Sequence, residues 1–254
     1  MNTFFIDSAN VNFINRICDN VKTHLPLNKV LAGFTTNPKI LDREGVTGIF
    51  LKDKIRELLD LLESLRGDKE GKVYVQIPYS YMPLDEMTNW ILDLFGSMGA
   101  NPQLGIKLPP DTDIINAAGS LHGKISLNIT GVTSWEQVEL VENNYILVDY
   151  ISFLFGRMEA LGINAEKQIL KSQKYLAAAK LLAGSLRDLN GLERSFDLNM
   201  VPTIGTTAWD SVEKEGLDKF ISLLDDVPQI AKDLSNSFFE EMDGLAGKNG
   251  LAKI

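Results

Sequence analysis

Lys107 stands inside an otherwise apolar run, Leu104-Gly105-Ile106-Lys107-Leu108-Pro109, that has the composition of a buried strand. Taking an ammonium out of water is costly, and the usual outcome is a depressed pKa. A lysine that is neutral near pH 7 attacks carbonyls and forms imines, the step on which Schiff-base catalysis depends. Asp7, after Phe4-Phe5-Ile6, supplies a carboxylate that could take the proton of a hydroxyl as a carbon–carbon bond breaks. Arg157, Ser185 and Arg187 offer guanidinium forks and a hydroxyl suited to a phosphate. Each residue also has a plainer alternative. The lysine could close a barrel end by pairing with Asp7, Asp7 could cap the helix that follows it, and Arg187-Asp188 could be a solvated pair. Asn37 before Pro38 could be turn chemistry alone.

Bringing such residues together requires strand ends that converge. Strands are predicted over residues 3–7, 31–36, 72–77, 104–108, 125–130, 145–152, 180–185 and 198–201, most of them short, apolar and bounded by Gly, Pro, Asn or Asp. Helical spacing fills the gaps. Ile55, Leu58, Leu59, Leu62 and Leu65 share one face, and Trp135, Val138, Leu140 and Val141 follow Thr133-Ser134, with Glu136 near the first turn as a cap. Strands alternating with helices imply parallel pairing and right-handed crossovers. At 254 residues this favours an α/β protein with a single (β/α)8 TIM barrel spanning residues 1–254. An open doubly wound sheet is disfavoured, because Asp7-Ser8-Ala9-Asn10 follows the first strand in place of a Gly-rich dinucleotide fingerprint. Two more helical patterns, over residues 216–224 and 228–242, form an expected C-terminal extension. The second carries Ile230, Leu234, Phe238 and Phe239, a stripe suited to docking between subunits or to packing on its own barrel.

The formal net charge of −9 counts against nucleic-acid and anionic-membrane partners, so an anionic substrate needs a local basic pocket. A single cysteine, Cys18, excludes an intrachain disulfide and fits a reducing compartment. The N-terminus lacks the basic region and long apolar core of a signal peptide. No run approaches the ~20 apolar residues that span a bilayer. The expectation is a soluble, cytoplasmic protein.

Active sites of such barrels lie at the C-terminal ends of the strands. Those ends supply Asp7, Thr35, Thr36, Asn37, Gln76 and Lys107 from the first half of the chain. The second half supplies Asn128, Thr130, Ser152, Ser185 and Arg187, with Arg157 in the loop after Ser152. Neither histidine nor cysteine is among them. His24 and His122 lie elsewhere, so histidine-assisted nucleophilic schemes lack a base. No His/Cys/Asp/Glu cluster has metal-ligand spacing, and neither a metal nor a cofactor is expected. Amine catalysis with a carboxylate proton acceptor remains.

These residues resemble the transaldolase family. Phe5-Ile6-Asp7-Ser8-Ala9-Asn10 is similar to its opening strand and Gly33-Phe34-Thr35-Thr36-Asn37-Pro38 to its Thr-Thr-Asn-Pro element. Ile106-Lys107-Leu108-Pro109 resembles the lysine strand, Leu127-Asn128-Ile129-Thr130 the fifth strand, Phe155-Gly156-Arg157 the end of the sixth, and Gly184-Ser185-Leu186-Arg187 the seventh. The length is nearer the compact branch of small transaldolases and fructose-6-phosphate aldolases. The resemblance implies Lys107 as the Schiff-base lysine and Asp7 as general acid/base. It implies Asn37, Asn128 and Ser152, with Thr36 beside them, as ligands of a dihydroxyacetone unit, Thr130 as holder of a catalytic water, and Arg157, Ser185 and Arg187 as the phosphate site.

Two positions depart from the pattern. Gln76 stands where transaldolases place glutamate and is similar to the aldolase branch; it orients a water but accepts no proton from it. Leu154 stands where transaldolases resemble one another in Phe and the aldolases in Tyr, in Ser152-Phe153-Leu154 rather than Ser-Pro-aromatic. Without the tyrosine hydroxyl that assists release, the bound carbanion equivalent should survive until an aldehyde arrives. The expected activity is therefore transfer of dihydroxyacetone from sedoheptulose 7-phosphate or fructose 6-phosphate to an aldose phosphate, within sugar metabolism of the pentose phosphate type. The alternatives are a dihydroxyacetone aldolase acting on fructose 6-phosphate, and a degraded barrel with a binding role.

Overall fold

Short runs of leucine, β-branched and aromatic residues become eight strands in the computed structural model, which describes residues 1–76, 83–121, 123–144, 147–176 and 178–226. They are β1 (Phe4–Asp7), β2 (Leu31–Thr35), β3 (Lys72–Gln76), β4 (Leu104–Leu108), β5 (Ser126–Val132), β6 (Tyr150–Phe153), β7 (Lys180–Ala183) and β8 (Val201–Ile204). Neighbours in sequence pair in parallel, and β8 returns to β1, closing a (β/α)8 barrel. Parallel neighbours need long crossovers, and helices supply them.

The helices carry apolar stripes that pack on the outside of the barrel. Val11–Lys22 buries Ile14, Ile17, Cys18 and Val21, spaced as one helix face. Asn10 opens this helix by accepting from the Phe13 N–H at 2.9 Å. Burial pushes the Cys18 thiol up to about 12, so it serves as a packing group. Leu51–Arg66 buries Ile55, Leu58, Leu59 and Leu62 and ends on Gly67 at φ +71°, the left-handed stop that glycine adopts without strain. Trp135–Asn143 begins after Ser134 as expected, but the capping partner is Gln137 rather than Glu136; its Oε1 accepts from the Ser134 N–H at 3.2 Å.

Two strands lie away from their expected places. β6 begins at Tyr150, not at residue 145: the first bond to β5 on this approach runs from the Asp149 N–H to Leu127 O, 2.9 Å, and Leu147 and Val148 precede the strand. β8 lies past residues 198–200, because Leu198 closes the helix Leu189–Asp197 and Asn199 turns the chain at φ +51°. The remaining strands shift by at most a residue or two at their ends. Leu217–Asp225 forms the first part of the expected C-terminal extension. The 228–242 stripe, residues 145 and 146, residue 77 and His122 lie outside the described residues. Among the described residues no helix is long and apolar enough to cross a membrane.

Side chains on alternate strand positions face the helices or the barrel axis. Phe4, Ile6, Leu31 and Phe34 belong to the outer core, whereas Phe5, Tyr74 and Leu182 pack together inside, against Ala32, Tyr150 and Val201. β2 keeps both Ala32 and Thr35 inward only because Gly33 inserts an extra residue: the β1–β2 register jumps from Phe4↔Leu31 to Phe5↔Gly33. At Gly33 φ is +147°, and a Cβ there would lie 1.8 Å from the Lys72 carbonyl oxygen, so only glycine fits. A second irregularity, at Gly131 in β5 with φ +87°, falls between Thr130 and Val132.

Candidate active site

The inward positions at the C-terminal ends of the strands open onto a cavity of about 610 Å³. Asp7, Gln76, Lys107 and Thr130 line it, from β1, β3, β4 and β5. Asn37, Ser152 and Leu154 line it from the ends of β2 and β6. Arg157 and Ser185 complete the side formed by β6 and β7. Register sets several of these neighbours: Asp7 pairs with Thr35, Gln76 with Lys107, Lys107 with Asn128, and Thr130 with Ser152.

Lys107 is 7% exposed. Burial pulls its amine below the usual lysine range, and the Asp7 carboxylate opposes that shift more weakly. The plainer reading in which Lys107 pairs with Asp7 does not describe the structure. The Asp7 carboxylate instead accepts from the Thr35 hydroxyl at 2.6 Å, and Lys107 forms no ion pair among the described residues. Gly105, two residues earlier on the same side of β4, leaves room for Tyr74, whose ring a Cβ would meet at 2.3 Å.

Asp7 does not cap the following helix, since Asn10 does so. Asn37 is the N-cap of Pro38–Arg43: its Oδ1 accepts from the Ile40 N–H at 3.0 Å, and its Nδ2 is left to the cavity. Ser152 donates to Asn128 Oδ1 at 2.7 Å. Asn128 itself is fully buried and does not line the cavity; its Nδ2 has no hydrogen-bond partner. Such a buried amide is held behind Ser152 as a donor without an acceptor.

Arg157 and Ser185 are brought together by close backbone approach. A Cβ on Gly156 would lie 2.1 Å from Ser185 O, and Ser185 adopts φ +60°. This left-handed conformation in a non-glycine residue is a local strain of the kind found at functional sites. Besides Asn128, two expected members stand apart. Arg187 is exposed and does not line the cavity, while Asp188 caps the next helix by accepting from the Gly191 N–H at 2.7 Å. Thr36 is fully buried off the cavity, with its N–H bonded to Tyr74 O at 2.9 Å.

Three residues gain a role that the sequence did not assign, Thr35 among the expected strand-end residues and Thr203 and Lys39 outside them. Thr35 holds the carboxylate of Asp7. Thr203 lines the cavity from β8, and its hydroxyl donates to Ala183 O at 3.1 Å. Lys39 lines the cavity from the helix after β2. Thr203 follows Pro202, which masked the strand, and Lys39 lies on a helix that pattern reading did not place.

The fold and this site define a (β/α)8 barrel with a buried, unpaired amine in a polar cavity at the C-terminal end of its strands. Residues 4–246 match the model of the Transaldolase/Fructose-6-phosphate aldolase family, and the chain belongs to that family. A probable transaldolase of Bacteroides fragilis (strain YCH46) is 28% identical over 189 residues, 72% of this chain and 77% of the relative. Probable transaldolase 1 of Bacillus cereus is 26% identical over 241 residues, covering 86% of this chain and 95% of the relative. Among solved structures, a putative fructose-1,6-biphosphate aldolase from Coccidioides immitis superposes with TM-score 0.51 at 8% identity, over 80% of this chain and 73% of that one. At that identity the likeness speaks to the barrel alone.

Proposed function

We propose that the protein is a Schiff-base transaldolase that transfers a dihydroxyacetone unit from a ketose phosphate, sedoheptulose 7-phosphate or fructose 6-phosphate, to an aldose phosphate. The observation that carries this reading is Lys107: a buried amine with a lowered pKa that no carboxylate neutralises, facing a cavity it shares with Asp7.

The chemistry follows from the residues. Lys107 Nζ adds to the ketose C2 carbonyl, and loss of water gives a protonated imine that draws electrons from the C3–C4 bond. As that bond breaks, Asp7 takes the proton of the C4 hydroxyl and the aldose phosphate departs. The Thr35 hydroxyl on Oδ1 leaves the second carboxylate oxygen free for this transfer. The enamine left on Lys107 attacks the acceptor aldehyde, Asp7 returns the proton to the new alkoxide, and water on the imine carbon frees the product ketose. Asn37 Nδ2 and Ser152 suit the hydroxyls of the dihydroxyacetone unit, and Arg157 with Ser185 suits the phosphate. Gln76 and Thr130 can orient the hydrolytic water without accepting its proton. Leu154 adds no hydroxyl that would speed release, which favours transfer.

Gln76, paired in register with Lys107, supports a second reading as a dihydroxyacetone aldolase. Borohydride reduction with fructose 6-phosphate, followed by intact mass, tests the covalent step. A dihydroxyacetone-sized adduct on Lys107, absent in Lys107→Ala, is expected, and a folded protein with no adduct would refute the reading. Turnover that requires an aldehyde acceptor identifies the transferase; equal turnover on donor alone identifies the aldolase.

A further inference from the structure

Among the described residues Asp7 is the one acid that lines the cavity, and Lys107 is a buried cation it could neutralise. Its charge reaches the amine, where it works against the effect of burial, yet the two form no ion pair. The hydroxyl of Thr35 accounts for that separation. Asp7 lies opposite Thr35 in the β1–β2 register, and the hydroxyl donates to Asp7 Oδ1 at 2.6 Å, a length typical of a hydroxyl on an ionised carboxylate. Thr35 is 1% exposed, so bulk water does not compete for its single proton. The branched Cβ restricts its rotamers, and the Gly33 irregularity keeps the side chain inward. Thr35 does not line the cavity, so it meets the substrate only through Asp7. The other charged groups around the cavity are cations, Lys39 and Arg157. In the groove beyond Asp7, Arg16 pairs with Asp210 at 3.3 Å and Glu44 accepts from the Asn10 amide at 2.9 Å, with Asp42 and Arg43 on its wall.

We propose that Thr35 is a positioning residue that ties the Asp7 carboxylate to β2 and so keeps the base and the amine of the reaction apart. This rests on the Schiff-base reading of Lys107. Two carboxylate-linked needs compete in one cavity: the amine must be unprotonated to add to the ketose, and the carboxylate must be free to take the C4 hydroxyl proton. An ion pair between them would defeat both, because an adjacent carboxylate favours the charged form of a lysine and is itself occupied. With Thr35 on Oδ1, the carboxylate has a donor that carries no charge, and its other oxygen stays open to the substrate. Without that donor, Oδ1 is left short of a partner, and the unpaired amine of Lys107 is a group that can supply a proton to it. The covalent steps are unchanged; Thr35 decides only which partner Asp7 has before the ketose arrives.

The test is the pH dependence of Lys107 labelling by fructose 6-phosphate and cyanoborohydride, read by intact mass, in the wild type, Thr35→Val, Thr35→Ala and Thr35→Ser. The two variants without a hydroxyl should need a pH higher by about one unit for half-maximal labelling, since the released carboxylate holds a proton on the amine. Thr35→Ser, which keeps the donor, should label as the wild type does. In an Asp7→Asn background Thr35→Val should move the profile no further, because no carboxylate is left to release. A profile that stays in place in folded Thr35→Val and Thr35→Ala, or one that moves equally with Asn at position 7, overturns the role of Thr35 and leaves the Schiff-base reading standing. An equal shift in Thr35→Ser makes the residue a packing group and overturns it as well. No labelling of the wild type at any pH overturns both readings.

Discussion

Two lysines face the inside of this barrel from adjacent strands, and they live differently. Lys72, at the start of β3, donates to Pro102 O at 2.7 Å and to Ser126 Oγ at 2.9 Å. Around it Tyr74 donates to Asp149 at 2.9 Å, and Phe5, Tyr74 and Tyr150 meet edge to face or tilted. Burial, with Asp149 adding its charge, pushes the hydroxyls of both tyrosines above their usual range. Lys107, near the end of β4, has no such partners. Nearby Asn128 Nδ2 and Thr36 Oγ1 are buried without acceptor or donor, and Ser185 is held in the left-handed region. Gln103 Nε2, at the entry to β4, is the exception on the lower side. A paired lysine stabilises a fold, and an unpaired buried one stores reactivity at the expense of stability.

The sharpest way to break this contrast is to remove the upper amine. Lys107→Met should lower turnover by roughly 10⁴-fold or more, measured with saturating ketose and acceptor. The same variant should unfold at higher denaturant, by about 1 kcal/mol, because a buried ammonium no longer has to be accommodated. Asp7→Asn should cost about 10²–10⁴-fold in turnover while still allowing borohydride trapping of a ketose on Lys107. That split separates the proton acceptor from the nucleophile.

Removing the lower amine should do the reverse. Lys72→Met leaves Pro102 O and Ser126 Oγ short of a donor, so it should destabilise the protein by about 1–3 kcal/mol. Turnover per folded molecule should stay within about twofold, since Lys72 does not line the cavity. A loss of activity without a loss of stability would show that the lower cluster takes part in the reaction.

The smallest effect is in pH. Because folding lowers the pKa of Lys107 from 10.5, the unfolded chain binds more protons between the lowered value and 10.5. The contribution of Lys107 to stability therefore rises with pH across that window. The stability advantage of Lys107→Met should shrink correspondingly as pH approaches 10.5, in denaturant melts at a series of pH values. Turnover of the wild type should fall as pH drops through the lowered value, where the amine becomes protonated.

Much of the fold was legible because each crossover helix announces one apolar face and each strand a short apolar run. Ile55, Leu58, Leu59 and Leu62 are buried as their spacing requires. The failures have local causes. The run before Tyr150 is as apolar as the strand itself, and only the position of its bond to β5 decides where pairing starts. Pro202 lacks an N–H, which hid a strand that tolerates it. Around the cavity, Lys107 and Asp7 were legible as types out of place. Thr35 was legible as a strand-end residue but not as the partner of Asp7, and Thr203 and Lys39 were not legible at all, since threonines in strands and lysines on helices are ordinary residues. The displacement of Arg187 from the cavity was equally invisible, because it depends on where the chain turns after Ser185.

Gly33 has a consequence for how this strand can evolve. Its single inserted residue acts as a half-period phase shift, with Ala32 inward before it and Thr35 inward after it. Straightening the strand there with every residue kept would turn the end of β2 inside out, trading the Thr35 hydroxyl beside Asp7 for the benzyl group of Phe34, whereas deleting Gly33 together with the bulge would leave Ala32 and Thr35 both inward. Point substitution explores this strand one side chain at a time, whereas losing the bulge without losing a residue exchanges the inner and outer faces of everything after it.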